Sequence, residues 1–256
     1  MRGAGPLDLA GFAAVTRLFG PIKMPRAETR DGRTRDYAPA FQVIDAGRVV
    51  EPETAGASSG AVASESLGGL DPRRPGLFET FHIDDCYVAR PAAATVVHAR
   101  ALPSRGGNTE FLDLRVAHAQ LSEELRAALA GLRAVHAHNN EGAFPTRVSA
   151  RGANDCLAPA SHPLVRTHPV TGRLGLYFDL DRATHVEGMS VPEGRALLER
   201  LQDQAEASAP RHQHVWQTHD VLVWDNVSLQ HRARGDFPVG EPRQLWRHLV
   251  EGDRPV

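Results

Sequence analysis

Short apolar or alternating segments, each closed off by glycine, proline, asparagine or aspartate, recur along this chain. Only three stretches carry the 3.6-residue period of an amphipathic helix. Strands are expected at 41–44, 78–83, 95–102, 109–112, 132–138, 162–167, 174–178, 214–217, 221–224 and 245–250. Helices are expected from about Asp8 to Phe19, where Leu7, Phe12, Val15, Leu18 and Phe19 share one face, from Arg115 to Gly131 and from Val191 to Ala207. Many short strands with few helices predict a mainly β chain with flanking helices (α+β), a β-sandwich or jelly roll braced by helices. A length of 256 residues without internal repeats fits one domain spanning 1–256. Between about 45 and 76 the composition turns to Gly, Ser, Ala, Glu and Pro, which reads as a lid or a surface insertion. Residues 22–40 and 139–161 read as loops.

Net charge is −2, and the 29 Lys and Arg are dispersed, so nothing points to nucleic acid or an anionic membrane surface. Two cysteines, Cys86 and Cys156, are too few for a disulfide framework, and a reducing cytoplasm is the expected compartment. No apolar run reaches the 18 or so residues that span a bilayer. The partner expected is a small molecule, with self-association left open.

The chemistry is expected between Phe78 and Asp113. His82 and Asp84 are two residues apart, so in an extended segment both project to one face and could hold one metal ion. A second histidine from elsewhere would complete the two-histidine, one-carboxylate set that suits non-haem Fe(II) and leaves positions open. The pair alone is weak, because a chain with 13 histidines carries roughly one His-x-Asp by chance. His185-x-Glu187, His136-x-His138 and His212-x-His214 are rival pairs. The tail strengthens the first reading. Val221–Trp224 reads as a strand ending in a turn at Asp225-Asn226, and His231 follows on a returning strand. Arg243 and Arg247 lie four apart, on one face of an extended segment. Buried guanidinium groups need anions, and carboxylates meet them through forked hydrogen bonds. The bland alternative pairs these arginines with Glu241 or Glu251 at the surface.

These pieces occur in a fixed order: RLFGPI, FHID, PSRGGNTEF, a helix with LSEEL, HPLVRTHPVTGRLGLYF, VLVWDNVSLQHRA and PRQLWRHLVEGD. Together they resemble the TauD/TfdA (taurine dioxygenase) family of Fe(II)- and 2-oxoglutarate-dependent dioxygenases, over nearly the whole chain. The resemblance implies a double-stranded β-helix (jelly roll) and names Fe(II), 2-oxoglutarate and O2 as what the protein uses. It implies His82, Asp84 and His231 as iron ligands and Thr109 at the C1 carboxylate region of 2-oxoglutarate. Arg243 would pair with its far carboxylate, Arg247 with an anionic substrate, and Tyr177 would line the substrate pocket. The reaction implied is hydroxylation or desaturation of a small, anionic molecule with release of succinate and CO2. A ligand carboxylate at Asp84 speaks against halogenation. Family members carry roughly 40 to 50 further residues ahead of RLFGPI, so the N-terminal part is expected to be shorter than usual. The alternatives are an inactive or truncated relative that binds metal or ligand, and a zinc hydrolase, which would leave Thr109 and Arg243 without a role.

Overall fold

The computed structural model describes residues 1–30, 32–36, 40–45, 48–50, 80–138, 157–238 and 240–256. In chain order the elements are α1 (Leu9–Arg17), β1 (Arg26–Glu28), β2 (Thr34–Asp36), β3 (Phe41–Asp45), β4 (Arg48–Val50), β5 (Ala94–Ala101) and β6 (Thr109–Asp113). Then come α2 (Leu114–Ala119), α3 (Glu123–Leu129), β7 (Arg133–His136), β8 (Ala160–Pro163), β9 (Val165–Thr167), β10 (Leu174–Leu176) and β11 (Ala183–Val186). The chain closes with α4 (Val191–Ser208), β12 (Arg211–His214), β13 (Val221–Asp225), β14 (Leu229–Ala233) and β15 (Gln244–Val250). Among the described residues no helix is long and apolar enough to cross a membrane.

Two antiparallel sheets carry the architecture. One has the order β13-β5-β15-β3-β4, the other β12-β6-β14. Their facing side chains merge into one apolar cluster: Ile44, Val97, Ala99, Trp224 and Leu245 from the larger sheet meet Phe111 from the smaller, together with Trp216. A second cluster lies between the smaller sheet and the helices, where Leu112, Leu114, Leu125 and Leu129 pack on Leu198 and Leu201 of α4. The third covers the outer face of the larger sheet. There Phe12 of α1 is fully buried and stacks on His248 of β15 at 4.5 Å and 11°.

Local sequence explains the helix ends. Asp8 caps α1 by accepting from the Gly11 N–H at 2.7 Å. Glu193 reaches back to accept from the Ser190 N–H at 3.1 Å, half of a capping box that opens α4.

Several expectations are corrected. Leu18 and Phe19 are 79% and 50% exposed, because α1 stops at Arg17 and the helical face ends there, before the chain returns to β15 at the Ile22–Val250 bridge. The helix expected over 115–131 is two helices. Ser122 accepts from the Leu125 N–H at 3.2 Å and starts α3, so a cap within the apolar stripe interrupts it while Leu121, Leu125 and Leu129 still face inward. The segment 162–167 is split between β8, which pairs with β7, and β9, which forms a hairpin with β10. The strand expected at 214–217 lies earlier, at β12, which pairs with β6 from Arg211 to His214, and Trp216 beyond it is buried. A hairpin, β1–β2, occupies part of the stretch read as loop, and β11 was not expected. In place of a strand at 78–83, the described residues show a single bridge at His82. Beyond β4 the lid or insertion expected at about 45–76 lies outside the described residues, as does most of the loop at 139–161.

Burial also sets the response to acid. His136, His162 and His248 are buried, and burial pushes their pKa values down to about 3, 4 and 4. A depressed histidine is neutral in the fold but binds a proton once unfolded, so its contribution is present above pH 6.5 and lost as pH falls toward 4. The urea midpoint of the metal-free protein is therefore expected to fall between pH 7 and pH 5. A midpoint that is flat over that interval would contradict this account of the core.

Candidate metal centre

The His82–Asp84 segment is a turn pinned from two sides. Asp179, 1% exposed, accepts from the Ile83 N–H and the Cys86 thiol through Oδ2, and from the Asp181 and Arg182 N–H groups through Oδ1. On the other side Lys23 pairs with Asp85, whose φ of 65° is a left-handed conformation rare outside glycine. Lys23 also donates to the Arg90 carbonyl at 2.6 Å. The segment then joins the smaller sheet through one bridge, in which His82 and His231 exchange both backbone hydrogen bonds at 3.0 Å.

This bridge brings the two imidazoles together, with ring centroids 4.3 Å apart. His82 Nδ1 donates to the Thr80 carbonyl at 2.8 Å, which fixes the tautomer and leaves the lone pair on Nε2. His231 sits on β14 directly across from Phe111 of β6, and Trp224 packs beside its ring at 4.6 Å. Its Nε2 lies 3.6 Å from Asp84 Oδ2. Burial, then the neighbouring His82, pushes the His231 pKa down to about 3, so the ring is a neutral donor at pH 7. Ligand atoms of His82, Asp84 and His231 all lie within 4.8 Å of one another, the one such group of three among the described residues. None of the rival pairs, His185-x-Glu187, His136-x-His138 and His212-x-His214, belongs to such a group.

Asp84 is buried, which alone would raise its pKa. The Arg247 guanidinium, the two histidines and a hydrogen bond from Thr95 outweigh burial and hold it well below the usual carboxylate range. Arg247 Nη1 donates to Oδ1 at 2.8 Å and Thr95 Oγ1 to Oδ2 at 2.6 Å. Two imidazoles and one ionised carboxylate are the donor set that suits Fe(II), so the residues present fit that ion.

Beside the triad lies a buried cation. Arg243 is 2% exposed, donates to the Gly107 carbonyl at 2.7 Å and approaches Thr109 Oγ1 at 3.4 Å. Both acceptors are neutral, and no carboxylate among the described residues forms an ion pair with it. Burial pushes its pKa down to about 10, so the group keeps its charge at pH 7. Trp216 donates to the Thr109 hydroxyl at 3.0 Å and fixes it. The double glycine is required here. Gly106 and Gly107 have φ of 71° and 65°, and a Cβ would stand 2.5 Å from the Asp236 carbonyl at the first and 3.1 Å from Arg243 Cδ at the second.

The structure thus brings together His82, Asp84 and His231, and separately Thr109 and Arg243. It directs Arg247 onto Asp84 and, through Nε at 2.9 Å, onto Gln42 rather than leaving it open toward a substrate. Tyr177 is fully buried in the helix-side core, its ring beside His162 at 5.6 Å and under the Arg166 guanidinium at 4.8 Å. Glu241, the surface partner considered for the arginines, instead accepts from Ser104. Gln42, Thr95, Trp216 and Asn226 were not anticipated. The only sequence signal for them is their place on strands or turns already flanking the motifs.

Removing one partner of a buried ion pair strands the other, at a cost of about 3–5 kcal/mol. Arg247→Leu should destabilise the metal-free protein by about that amount in chemical denaturation. A change below about 1 kcal/mol would show that the pair contributes little to the fold.

The taurine catabolism dioxygenase TauD, TfdA family matches residues 1–249. The chain is 35% identical over 251 residues to an α-ketoglutarate-dependent 2,4-dichlorophenoxyacetate dioxygenase of Burkholderia sp. (strain RASC), covering 97% of this chain and 80% of that protein. It is 36% identical over 181 residues to an (S)-phenoxypropionate/α-ketoglutarate dioxygenase of Delftia acidovorans, covering 67% and 60%. A solved structure of AAD-2 in complex with Mn(II) and N-oxalylglycine superposes with a TM-score of 0.62 at 34% identity, covering 69% of this chain and 63% of that one. The chain therefore spans four fifths of the first of these proteins and somewhat under two thirds of the other two. With the triad, the buried arginine and these relatives in agreement, the chain belongs to the TauD/TfdA family of α-ketoglutarate-dependent dioxygenases.

Proposed function

We propose that this protein is an Fe(II)- and 2-oxoglutarate-dependent dioxygenase that hydroxylates or desaturates a small anionic organic molecule, with an aryloxyalkanoate as the first class to consider. The observation that carries the reading is Arg243, a buried guanidinium with neutral acceptors only, beside a two-histidine, one-carboxylate group. The substrate class rests on the relatives that act on phenoxy acids.

His82, Asp84 and His231 would hold the iron. With 2-oxoglutarate and O2 it supplies the oxidising power, 2-oxoglutarate ending as succinate and CO2. The chain supplies position and dryness. Thr109 pairs with Ala233, and His231, two residues earlier on the same strand, pairs with Phe111. Arg243 at Thr109 is thus displaced about 7 Å along the strands from His231, a span suited to a five-carbon dicarboxylate. Thr109 and Arg243 close on the same end of that span. We therefore assign both to the far carboxylate of 2-oxoglutarate, with Trp216 holding the Thr109 hydroxyl in place. Asp84 and Arg247 act together at the iron end. An anionic substrate group would then be met outside the residues assigned so far.

We read the two facing sheets as the double-stranded β-helix of the family and the chain as a single domain. A cytoplasmic setting agrees with the buried free thiol of Cys86.

An anaerobic titration with Fe(II) and then 2-oxoglutarate tests the reading. A weak visible charge-transfer band that needs both components is expected, absent in His231→Ala. In Arg243→Ala the band should demand much more 2-oxoglutarate while Fe(II) binding persists. Succinate release with phenoxy acids, set against organosulfonates, then separates the substrate classes. No band in folded parent protein would favour a metal- or ligand-binding relative without turnover. An unchanged 2-oxoglutarate requirement in Arg243→Ala would remove that residue from the site.

A further inference from the structure

A chain of buried hydrogen bonds ends on the Asp84 carboxylate. Trp224 Nε1 donates to Asn226 Oδ1 at 3.0 Å, Asn226 Nδ2 donates to Thr95 Oγ1 at 2.8 Å, and Thr95 Oγ1 donates to Asp84 Oδ2 at 2.6 Å. Thr95 and Asn226 are fully buried, and Trp224 is nearly so. We propose that Trp224, Asn226 and Thr95 form a one-way relay that positions the Asp84 carboxylate as a metal ligand. The inference rests on the reading of His82, Asp84 and His231 as a metal centre.

The direction of the relay follows from donor chemistry. An indole N–H can only donate, so the Asn226 amide must turn its oxygen toward Trp224. The reverse orientation would set two donors against each other. The amide NH2 is then aimed at Thr95, whose oxygen accepts it. With its oxygen so engaged, the Thr95 hydroxyl turns its hydrogen to the remaining neighbour, Asp84 Oδ2. Every hydrogen therefore points toward the carboxylate, and the last bond is short and charge-assisted.

The backbone keeps these residues in line. Trp224 pairs with Thr95 across the β13–β5 ladder, and the Asn226 N–H donates to the Ala93 carbonyl at 2.9 Å. Arg247, on β15 at the other side of β5, takes Oδ1 at 2.8 Å. Each carboxylate oxygen thus has its own donor, one from β5 and one from its neighbour β15. Rotating the carboxylate would lose one of the two bonds. Oδ2, the oxygen that faces His231 Nε2, is held by Thr95. Its remaining lone-pair capacity is what a metal would use.

Outer partners of metal ligands tune affinity by about 10- to 100-fold. The test is anaerobic titration of the full chain with Fe(II), and with Co(II) as a spectroscopic probe, in the parent, Thr95→Val, Thr95→Ser and Trp224→Phe. Thermal unfolding of each metal-free form is followed in parallel. Thr95→Val, which keeps the shape and removes the hydroxyl, should weaken Fe(II) binding about 10- to 100-fold and shift the Co(II) bands. Thr95→Ser should restore both, and Trp224→Phe, which frees the amide to turn, should fall between. A merely structural threonine would alter unfolding without moving the Co(II) bands. Parent-like affinity and spectrum in folded Thr95→Val would overturn the relay. Should that variant fail to fold, the same result in Trp224→Phe would overturn it. A parent that binds neither ion would bring down the metal-centre reading and the relay with it, whereas failure of the relay alone leaves the parent binding tightly.

Discussion

A carboxylate buried beside two imidazoles stays charged only if cations and donors surround it, and Arg247 is the group that does most for Asp84. That single pair ties the His-x-Asp turn to the middle of the larger sheet, since Arg247 lies on β15 between β5 and β3. The backbone bridge of His82 to His231 ties the same turn to the smaller sheet. The three prospective ligands are therefore held by both sheets at once. Asp179 and the Lys23–Asp85 pair fix the turn between them.

The two ends of the site differ in electrostatic character. At the triad the Asp84 carboxylate is met within the protein by the Arg247 guanidinium. At Arg243 the hydrogen-bond acceptors are neutral, and the Asp236 carboxylate acts only from beyond ion-pair distance. A guanidinium buried against a carbonyl and a hydroxyl is a costly arrangement that an incoming carboxylate would relieve. On the proposed reading, that asymmetry would set an acidic cosubstrate along the strands, its far end at Arg243 and its near end toward His82, Asp84 and His231.

The order of the motifs around His82-x-Asp84, the double glycine before Thr109, the distant His231 and Arg243 carried the family resemblance in the sequence, and the resemblance singled out the three side chains that the structure groups. What sequence could not resolve was side-chain direction and competition between local signals. Arg247 was expected to await a substrate, but the strand register sets it against Asp84 and Gln42. Tyr177 was expected at the pocket, but one short strand carries it into the helix-side core under Arg166. The helix over 115–131 broke because Ser122 caps from within an otherwise periodic stripe. Asn226 read as a turn residue, and its amide matters only because Trp224 and Thr95 converge on it in three dimensions.

The central claim is that one Fe(II) is held by His82, Asp84 and His231 with 2-oxoglutarate reaching to Arg243. Anomalous diffraction at the iron edge, from anaerobic crystals grown with Fe(II) and 2-oxoglutarate, tests it most directly. The account predicts one strong peak bonded to those three side chains, with a carboxylate on the Arg243 guanidinium next to Thr109. A peak ligated by other residues, or a 2-oxoglutarate that leaves Arg243 untouched, would contradict it.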